Sequence, residues 1–361
     1  MSYLREAVLP ALRPAPSEAD YCLSVESPLG RYWSVLLKQL TACGGSVAVL
    51  GPFPRRDYRN ADAPGAAPVE LPRVRFAVSL PRRTAATTLL AESPRRRLAR
   101  RRWAKRLRLS LAVGDERAAA GRFHRLPYGT HPGRDETLFT TQRPETRPTR
   151  ILFAGNTDPE LYDSALWRAR KAQYGIELTR FEAVNVLQEQ LAEDRLLVAG
   201  WDGDDLPRAF DGACRDRLFM ARWNAYRGTA WPRALRAADF FLALPGVVMP
   251  MCHNAIEAMA AGCIPITGYP DWFLPRLVDG RDCLAFTGAA SLIGAVERAL
   301  AMPADEVARM RAEVVRHYER HLAPAGVPEA LDALPDGATV YLLSEDHEQL
   351  ARVRRGTIAF S

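Results

Sequence analysis

Ala237-Ala-Asp-Phe-Phe-Leu-Ala-Leu-Pro-Gly-Val-Val-Met-Pro-Met-Cys-His-Asn-Ala-Ile-Glu-Ala-Met-Ala-Ala-Gly-Cys-Ile-Pro-Ile-Thr267 is the stretch that decides the fold. Phe240 to Leu244 is a continuous apolar run, as expected of a strand buried on both faces. Pro245 and Gly246 stop it. Ala255 to Ala261 is rich in helix formers, and Gly262 follows where a helix end wants a residue tolerant of positive φ. Cys263 to Thr267 is a second short apolar strand. A βαβ unit of this kind puts its loop at the carboxyl end of the first strand, where open α/β sheets bind ligands. The helix then aims its free N–H groups and positive dipole end into that crevice. Cys252, His253 and Asn254 form its first turn, with Glu257 one turn further in. A diphosphate at the helix start and a sugar hydroxyl on Glu257 suit this layout.

Glu257-Ala-Met-Ala-Ala-Gly-Cys-Ile-Pro265 resembles the Glu-Ala-x-x-x-Gly-x-x-Pro signature of GT-B glycosyltransferases, and its wording is most like exostosin-like and bacterial polysaccharide transferases. The resemblance implies an α/β chain of two Rossmann-like domains with parallel sheets facing a central cleft. It implies that Glu257 holds the ribose of a nucleotide-sugar donor, and that His253 and Asn254 meet its phosphates. Retaining members carry a second acid eight positions before this glutamate; here that position is Met249, so the stereochemistry stays open. Trp272 to Phe286 resembles the late GT-B segment around Asp-Gly-x-x-Cys/Gly-Leu.

Working outward, Tyr21 to Val25 reads as a strand, Glu26 to Gly30 as a loop, Arg31 to Ala42 as a helix and Ser46 to Leu50 as the next strand. This opening is a Rossmann-like half. Its Leu29-Gly30 turn matches the place where GT-B enzymes bring the first domain against the donor phosphates. Leu126-Pro-Tyr-Gly129 resembles the strand that closes many GT-B first domains. The polar, proline-bearing stretch that follows reads as a linker. The expected boundaries are 1–135 for an acceptor-binding domain, 136–149 for the linker and 150–335 for a donor-binding domain. A tail, 336–361, is expected to return to the first domain. Arg150 to Ala154 begins the second domain as a buried strand, and Gly155 and Asn156 at its end are placed to approach the donor. Asp158 to Tyr174 has helical character. Arg168, Arg170 and Lys171 within it are candidates to neutralise a diphosphate, because a leaving nucleotide needs positive charge.

The chain has 361 residues, 48% hydrophobic and 25% charged, ordinary for a globular protein of about two domains. The apolar runs fall short of the roughly 18 residues that span a bilayer. The N-terminus lacks the layout of a signal peptide. The six cysteines include no Cys-x-x-Cys pair, which favours reduced core thiols over zinc. The expected location is cytoplasmic, peripheral to the inner face of the membrane. The net charge of +7 is local: Arg95 to Arg108 holds nine basic residues and no acid, so the remainder carries −2. Ala99, Trp103 and Leu107 recur every four residues in that run, which predicts an apolar stripe on a cationic helix. Such a helix is read three ways: as a solvated face, as a binder of anionic lipid or of a lipid-linked acceptor through Arg96, Arg100, Trp103 and Arg106, or as a nucleic-acid contact. No nucleic-acid motif accompanies it.

An inverting transfer needs a base to take the acceptor hydroxyl proton. Glu26, at the end of the first strand, is the candidate, with Asp115 and Glu116 weaker ones. No cofactor and no metal are expected: the nucleotide-sugar is substrate, and Asp202-Gly-Asp204 is the nearest approach to an Asp-x-Asp pair. The expected partners are a nucleotide-sugar, a surface polysaccharide or lipid-linked glycan acceptor and an anionic membrane surface, without nucleic acid. Two rivals stand beside this reading: a nucleotide-sugar epimerase of the same fold, and a non-catalytic scaffold that binds anionic membrane or glycan.

Overall fold

The structure is a computed structural model. It describes residues 17–24, 31–50, 73–77, 80–93, 96–110, 123–131, 134–163, 167–168, 171, 174–199, 214–222, 229–246 and 249–342. The chain divides into two compact units, Met1–Gly133 with Ala323–Ser361, and Arg134–Leu322.

The first unit contributes β1 (Tyr21–Ser24), α1 (Arg31–Thr41), β2 (Val47–Leu50), β3 (Val74–Ala77), β4 (Thr88–Ala91), α2 (Arg96–Ala99), β5 (Lys105–Ser110) and β6 (Phe123–Arg125). The second contributes α3 (Thr137–Thr140), β7 (Thr149–Gly155), α4 (Pro159–Tyr162), α5 (Arg180–Gln190), β8 (Leu196–Val198) and β9 (Leu218–Arg222). It continues with α6 (Ala230–Arg236), β10 (Ala238–Ala243), α7 (His253–Ala260), β11 (Ile264–Thr267), β12 (Leu284–Ala285), α8 (Ala289–Ala301) and α9 (Ala304–His321). The chain then returns to the first unit through α10 (Gly326–Ala333) and β13 (Thr339–Tyr341).

The first sheet runs β3-β2-β1-β4-β5-β13-β6 and the second β12-β11-β10-β7-β9-β8. Every strand pairing in both is parallel. Parallel strands covered on both faces need unbroken apolar runs, and β1, β2, β7 and β10 are buried at every position. In the second sheet β8 and β9 lie on one side of β7, and β10, β11 and β12 on the other. The switch point where ligands bind in open sheets therefore falls between β7 and β10. These two α/β units with parallel sheets are the fold class that the GT-B resemblance implied.

The basic run departs from expectation. Only Arg96–Ala99 is helical, and the chain enters β5 at Lys105. Trp103 is 9% exposed, donates its Nε1–H to the Leu98 carbonyl at 2.8 Å and packs with Cys22, Leu50, Leu89 and Leu98. It is a core residue, not a membrane anchor. From Lys105 the sequence alternates, with Leu107 and Leu109 inward and Arg106 and Arg108 outward. Partners on both sides satisfy the backbone in that period of two, which overrides the every-fourth spacing. Arg106 pairs with Asp336 at 2.7 Å, and Lys105 Nζ bonds the carbonyls of Leu331 and Asp332 at the end of α10. The tail thus supplies one carboxylate to Arg106 and a helix end to Lys105.

The expected linker 136–149 belongs to the second unit. Arg143 Nε donates to the Ala260 carbonyl at 2.9 Å, and buried Arg147 donates to the carbonyls of Ala238 and Ala261. Both hold the carboxyl end of α7, where cations suit the dipole. Close by, Asp239 in β10 is buried among Arg150 at 3.2 Å, Arg215 at 2.7 Å and Arg311. Gly262 ends α7 at φ +77°. The tail joins the first unit at Ala323, earlier than position 336. No helix among the described residues is long and apolar enough to cross a membrane.

Candidate anion-binding site

The carboxyl ends of β7 and β10 are bridged by one guanidinium. Thr179 caps α5 in a capping box: its hydroxyl accepts from Glu182 N at 3.1 Å, and Glu182 Oε2 accepts from Thr179 N at 2.7 Å. That box sets Arg180 as the first helical residue. Arg180 Nη1 donates to the Asn156 carbonyl at 3.4 Å, just past β7, and Nη2 donates to the Leu244 carbonyl at 3.2 Å, just past β10. The guanidinium lies 4.8 Å from the centre of the Tyr162 ring and 3.4 Å from Cys252 Sγ.

Arg180 is 5% exposed, and its Nε is buried without a hydrogen-bond partner among the described residues. No described carboxylate pairs with it. Burial by itself lowers its pKa, but Tyr162, Cys252 and Tyr269 outweigh that and hold it above its ordinary value. Burial in turn pushes up the Tyr162 and Tyr269 hydroxyls and the Cys252 thiol. The described groups of the cage are therefore neutral near pH 7, and none of them compensates the cation; a buried cation in that state is costly, and an anion relieves it.

The second source of positive potential is α7. Its N-cap is Cys252, which makes no side-chain cap bond, so no capping side chain answers the positive end of the helix dipole. His253, first in the helix, is buried, and Asn254 Oδ1 is buried without a hydrogen-bond partner among the described residues. Gly155 closes β7 against the cage: a Cβ there would stand 3.1 Å from Arg180 Nη1 and from Phe153 Cζ. Gly155, Asn156 and Cys252 at the start of α7 thus meet around Arg180.

Lys171 does not join them as a free cation. Its Nζ pairs with both oxygens of Glu182, at 2.8 and 2.7 Å. Burial alone would raise the Glu182 carboxyl; Lys171 and the Thr179 N–H more than offset this and hold it below its ordinary value. Arg168 pairs with Asp163. Glu26, Gly30, Asp115, Glu116 and Arg170 lie outside the described residues.

Glu257 is 1% exposed. Its Oε2 accepts from Trp231 Nε1 at 2.5 Å, and Oε1 lies 3.8 Å from Arg134 Nε, with the Arg134 guanidinium 5.4 Å over the Trp231 ring. The ribose contact expected of it would have to be made beside the Trp231 hydrogen bond.

Sequence reasoning had missed Arg180, Tyr162, Trp231 and Arg134. The Thr179-Arg-Phe-Glu182 capping box was the available signal for Arg180, since Thr-x-x-Glu marks a helix start. The aromatic and ionic cover on Glu257 has no local signature.

No protein-family model and no curated protein sequence matches the chain. Among solved structures it is similar to sucrose-phosphate synthase from Thermosynechococcus elongatus, with 13% identity, 87% of this chain and 98% of that one covered, and TM-score 0.45. It is similar to Alr3699/HepE from Anabaena in complex with UDP and glucose, at 10% identity, 88% and 100% coverage and TM-score 0.43. It is also similar to AviGT4, a glycosyltransferase involved in avilamycin A biosynthesis, at 16% identity, 93% and 98% coverage and TM-score 0.41. These are likenesses of overall pattern, and the reading of the site rests on this chain's own residues.

Proposed function

We propose that this chain is a glycosyltransferase whose second unit holds a nucleotide-sugar by its phosphates. The observation that carries the reading is Arg180, a buried cation without a described carboxylate, set at the β7–β10 switch point beside the positive end of the α7 dipole. A diphosphate supplies the missing negative charge, accepts from the guanidinium and sits at the positive end of the α7 dipole. The same charge stabilises the departing nucleotide diphosphate as the glycosidic bond breaks, which is the electrostatic help that glycosyl transfer needs. Glu257 serves the nucleoside end beside its Trp231 hydrogen bond, and Glu26 remains the proposed base for the acceptor hydroxyl.

The acceptor in this reading is a surface polysaccharide or a lipid-linked glycan. An anionic membrane contact would rest on Arg100, Arg101 and Arg102, which are exposed beside β5, and not on an inserted helix.

The test compares wild type with Arg180→Gln by calorimetry, using uridine, guanosine and cytidine nucleotides and inorganic pyrophosphate. Loss of a charge-assisted hydrogen bond should weaken binding by about 1.5–3 kcal/mol, or roughly 10- to 150-fold. Equal affinity in a folded variant, or no binding by wild type, would remove the reading. Incubation with the bound nucleotide's sugar conjugates then separates the alternatives: transfer or hydrolysis marks a transferase, inversion at one carbon an epimerase, and neither a scaffold.

A further inference from the structure

All six cysteines are free. Cys22, Cys214, Cys263 and Cys283 are buried, Cys43 is exposed, and Cys252 is partly exposed. Cys252 differs from the rest by its place. It is the N-cap of α7, and its Sγ accepts from Arg180 Nη2 at 3.4 Å while facing the Leu244 carbonyl at 3.5 Å. Arg180 is the second observation at this helix start, because its charge has no described carboxylate and its Nε no described partner.

We propose that Cys252 is a covalent-modification site inside the anion pocket, at which a low-molecular-weight disulfide forms an adduct that excludes phosphate. This rests on reading the pocket as a phosphate site. Burial keeps Cys252 a neutral thiol at rest; once its proton leaves, the thiolate presents to Arg180 what a phosphate oxygen does, a compact anion at a helix N-terminus. They therefore compete for one guanidinium. In the exchange the Cys252 proton goes to solvent, and the thiolate attacks one sulfur of the disulfide. A Cys252–sulfur bond forms, the reagent's sulfur–sulfur bond breaks, and the other half leaves as a thiolate with the electron pair. The disulfide is the oxidant, and no further co-reactant enters. The adduct fills the first turn of α7 beside Arg180, where a phosphate would sit. Four of the other cysteines are shielded, and Cys43, whose Sγ faces the Ala325 carbonyl in the first unit, is an internal reference remote in sequence from the pocket.

The experiment treats the full chain with a neutral dipyridyl disulfide, with and without inorganic pyrophosphate, and follows adducts at Cys252 and Cys43 by mass spectrometry. Pyrophosphate binding is measured separately by calorimetry. Pyrophosphate at about ten times its Kd should slow modification of Cys252 about tenfold, the factor by which it depletes the empty pocket, and leave Cys43 unchanged. Arg180→Gln should slow Cys252 relative to Cys43 and abolish the protection. The modified chain should no longer bind pyrophosphate. If pyrophosphate binds yet does not protect Cys252, or if Cys252 never reacts, the inference is wrong and the phosphate reading stands. If pyrophosphate fails to bind, both fall. Cys252→Ser supplies the background signal, and the central comparison needs no variant.

Discussion

At the scale of single residues, two charges set the character of the second unit, and they are handled oppositely. Arg180 keeps its charge available among the described residues, where the groups that meet its guanidinium are neutral: a phenol ring, a thiol and two backbone carbonyls. Glu257 is satisfied internally by Trp231 and Arg134. Removing one member of a buried charged network leaves the others unpaired, which costs more than the network itself contributes. Arg134 keeps partial access to water, so the cost falls mainly on the buried Trp231 Nε1, and Glu257→Ala should destabilise the fold by about 1–3 kcal/mol. Glu257→Gln, which keeps an acceptor for Trp231 Nε1, should cost less. Denaturant titration checks both. A Glu257→Ala variant as stable as wild type would show that the carboxylate is not held as described.

Among the elements, α9 carries a pH dependence. His317 on this helix is buried, with its Nδ1 3.8 Å from Asp282 and its ring 5.2 Å from that of His321. Its Nε2 has no hydrogen-bond partner among the described residues. Burial lowers its pKa from 6.5 to about 4; Asp282 pulls the other way, while His321 and Arg281 add to the lowering. The unfolded chain thus binds this proton first. The contribution is fully present above pH 6.5 and is lost as pH falls toward 4, in total about 3 kcal/mol at 1.36 kcal/mol per pH unit. His317→Leu should flatten the decline of the denaturation midpoint across that window. An unchanged slope would place the dependence elsewhere. The basic run teaches at the same scale. Ala99, Trp103 and Leu107 fit a helical stripe, yet the chain turns to strand at Lys105, because β4 and β13 offer ladder partners on both sides.

For the molecule as a whole, the returning tail is structural. β13 lies inside the first sheet between β5 and β6, with Arg108 N bonded to the Ala338 carbonyl at 2.8 Å and Leu126 N to the Tyr341 carbonyl at 2.9 Å. A chain ending at Leu322 would leave β5 and β6 without a common partner, and exposed strand edges associate. Such a truncation should lose protease resistance in residues 17–131 and aggregate. Its second unit should still be stabilised by pyrophosphate, since Arg180 and α7 lie wholly within it. A truncated chain whose first unit stays resistant would contradict the part assigned to β13.

The sequence by itself determined the two α/β units, the strand–helix–strand around α7 and the left-handed glycine that ends it. Those follow from local rules: apolar run length, helix-former content and the one residue type that takes positive φ cheaply. It also placed Gly155, Asn156 and the start of α7 near a common site, because strand ends and helix starts are readable as punctuation. Only the tertiary structure decided which cation stands there. Lys171 and Arg180 are both basic and lie near one another in the chain, but Glu182 takes the first, and among the described residues no carboxylate takes the second. It also decided that Glu257 is covered, that Trp103 is core and that Asp336 answers Arg106. Each depends on a partner brought from far along the chain, and long-range pairing leaves no periodic trace in the sequence that a local reading could detect.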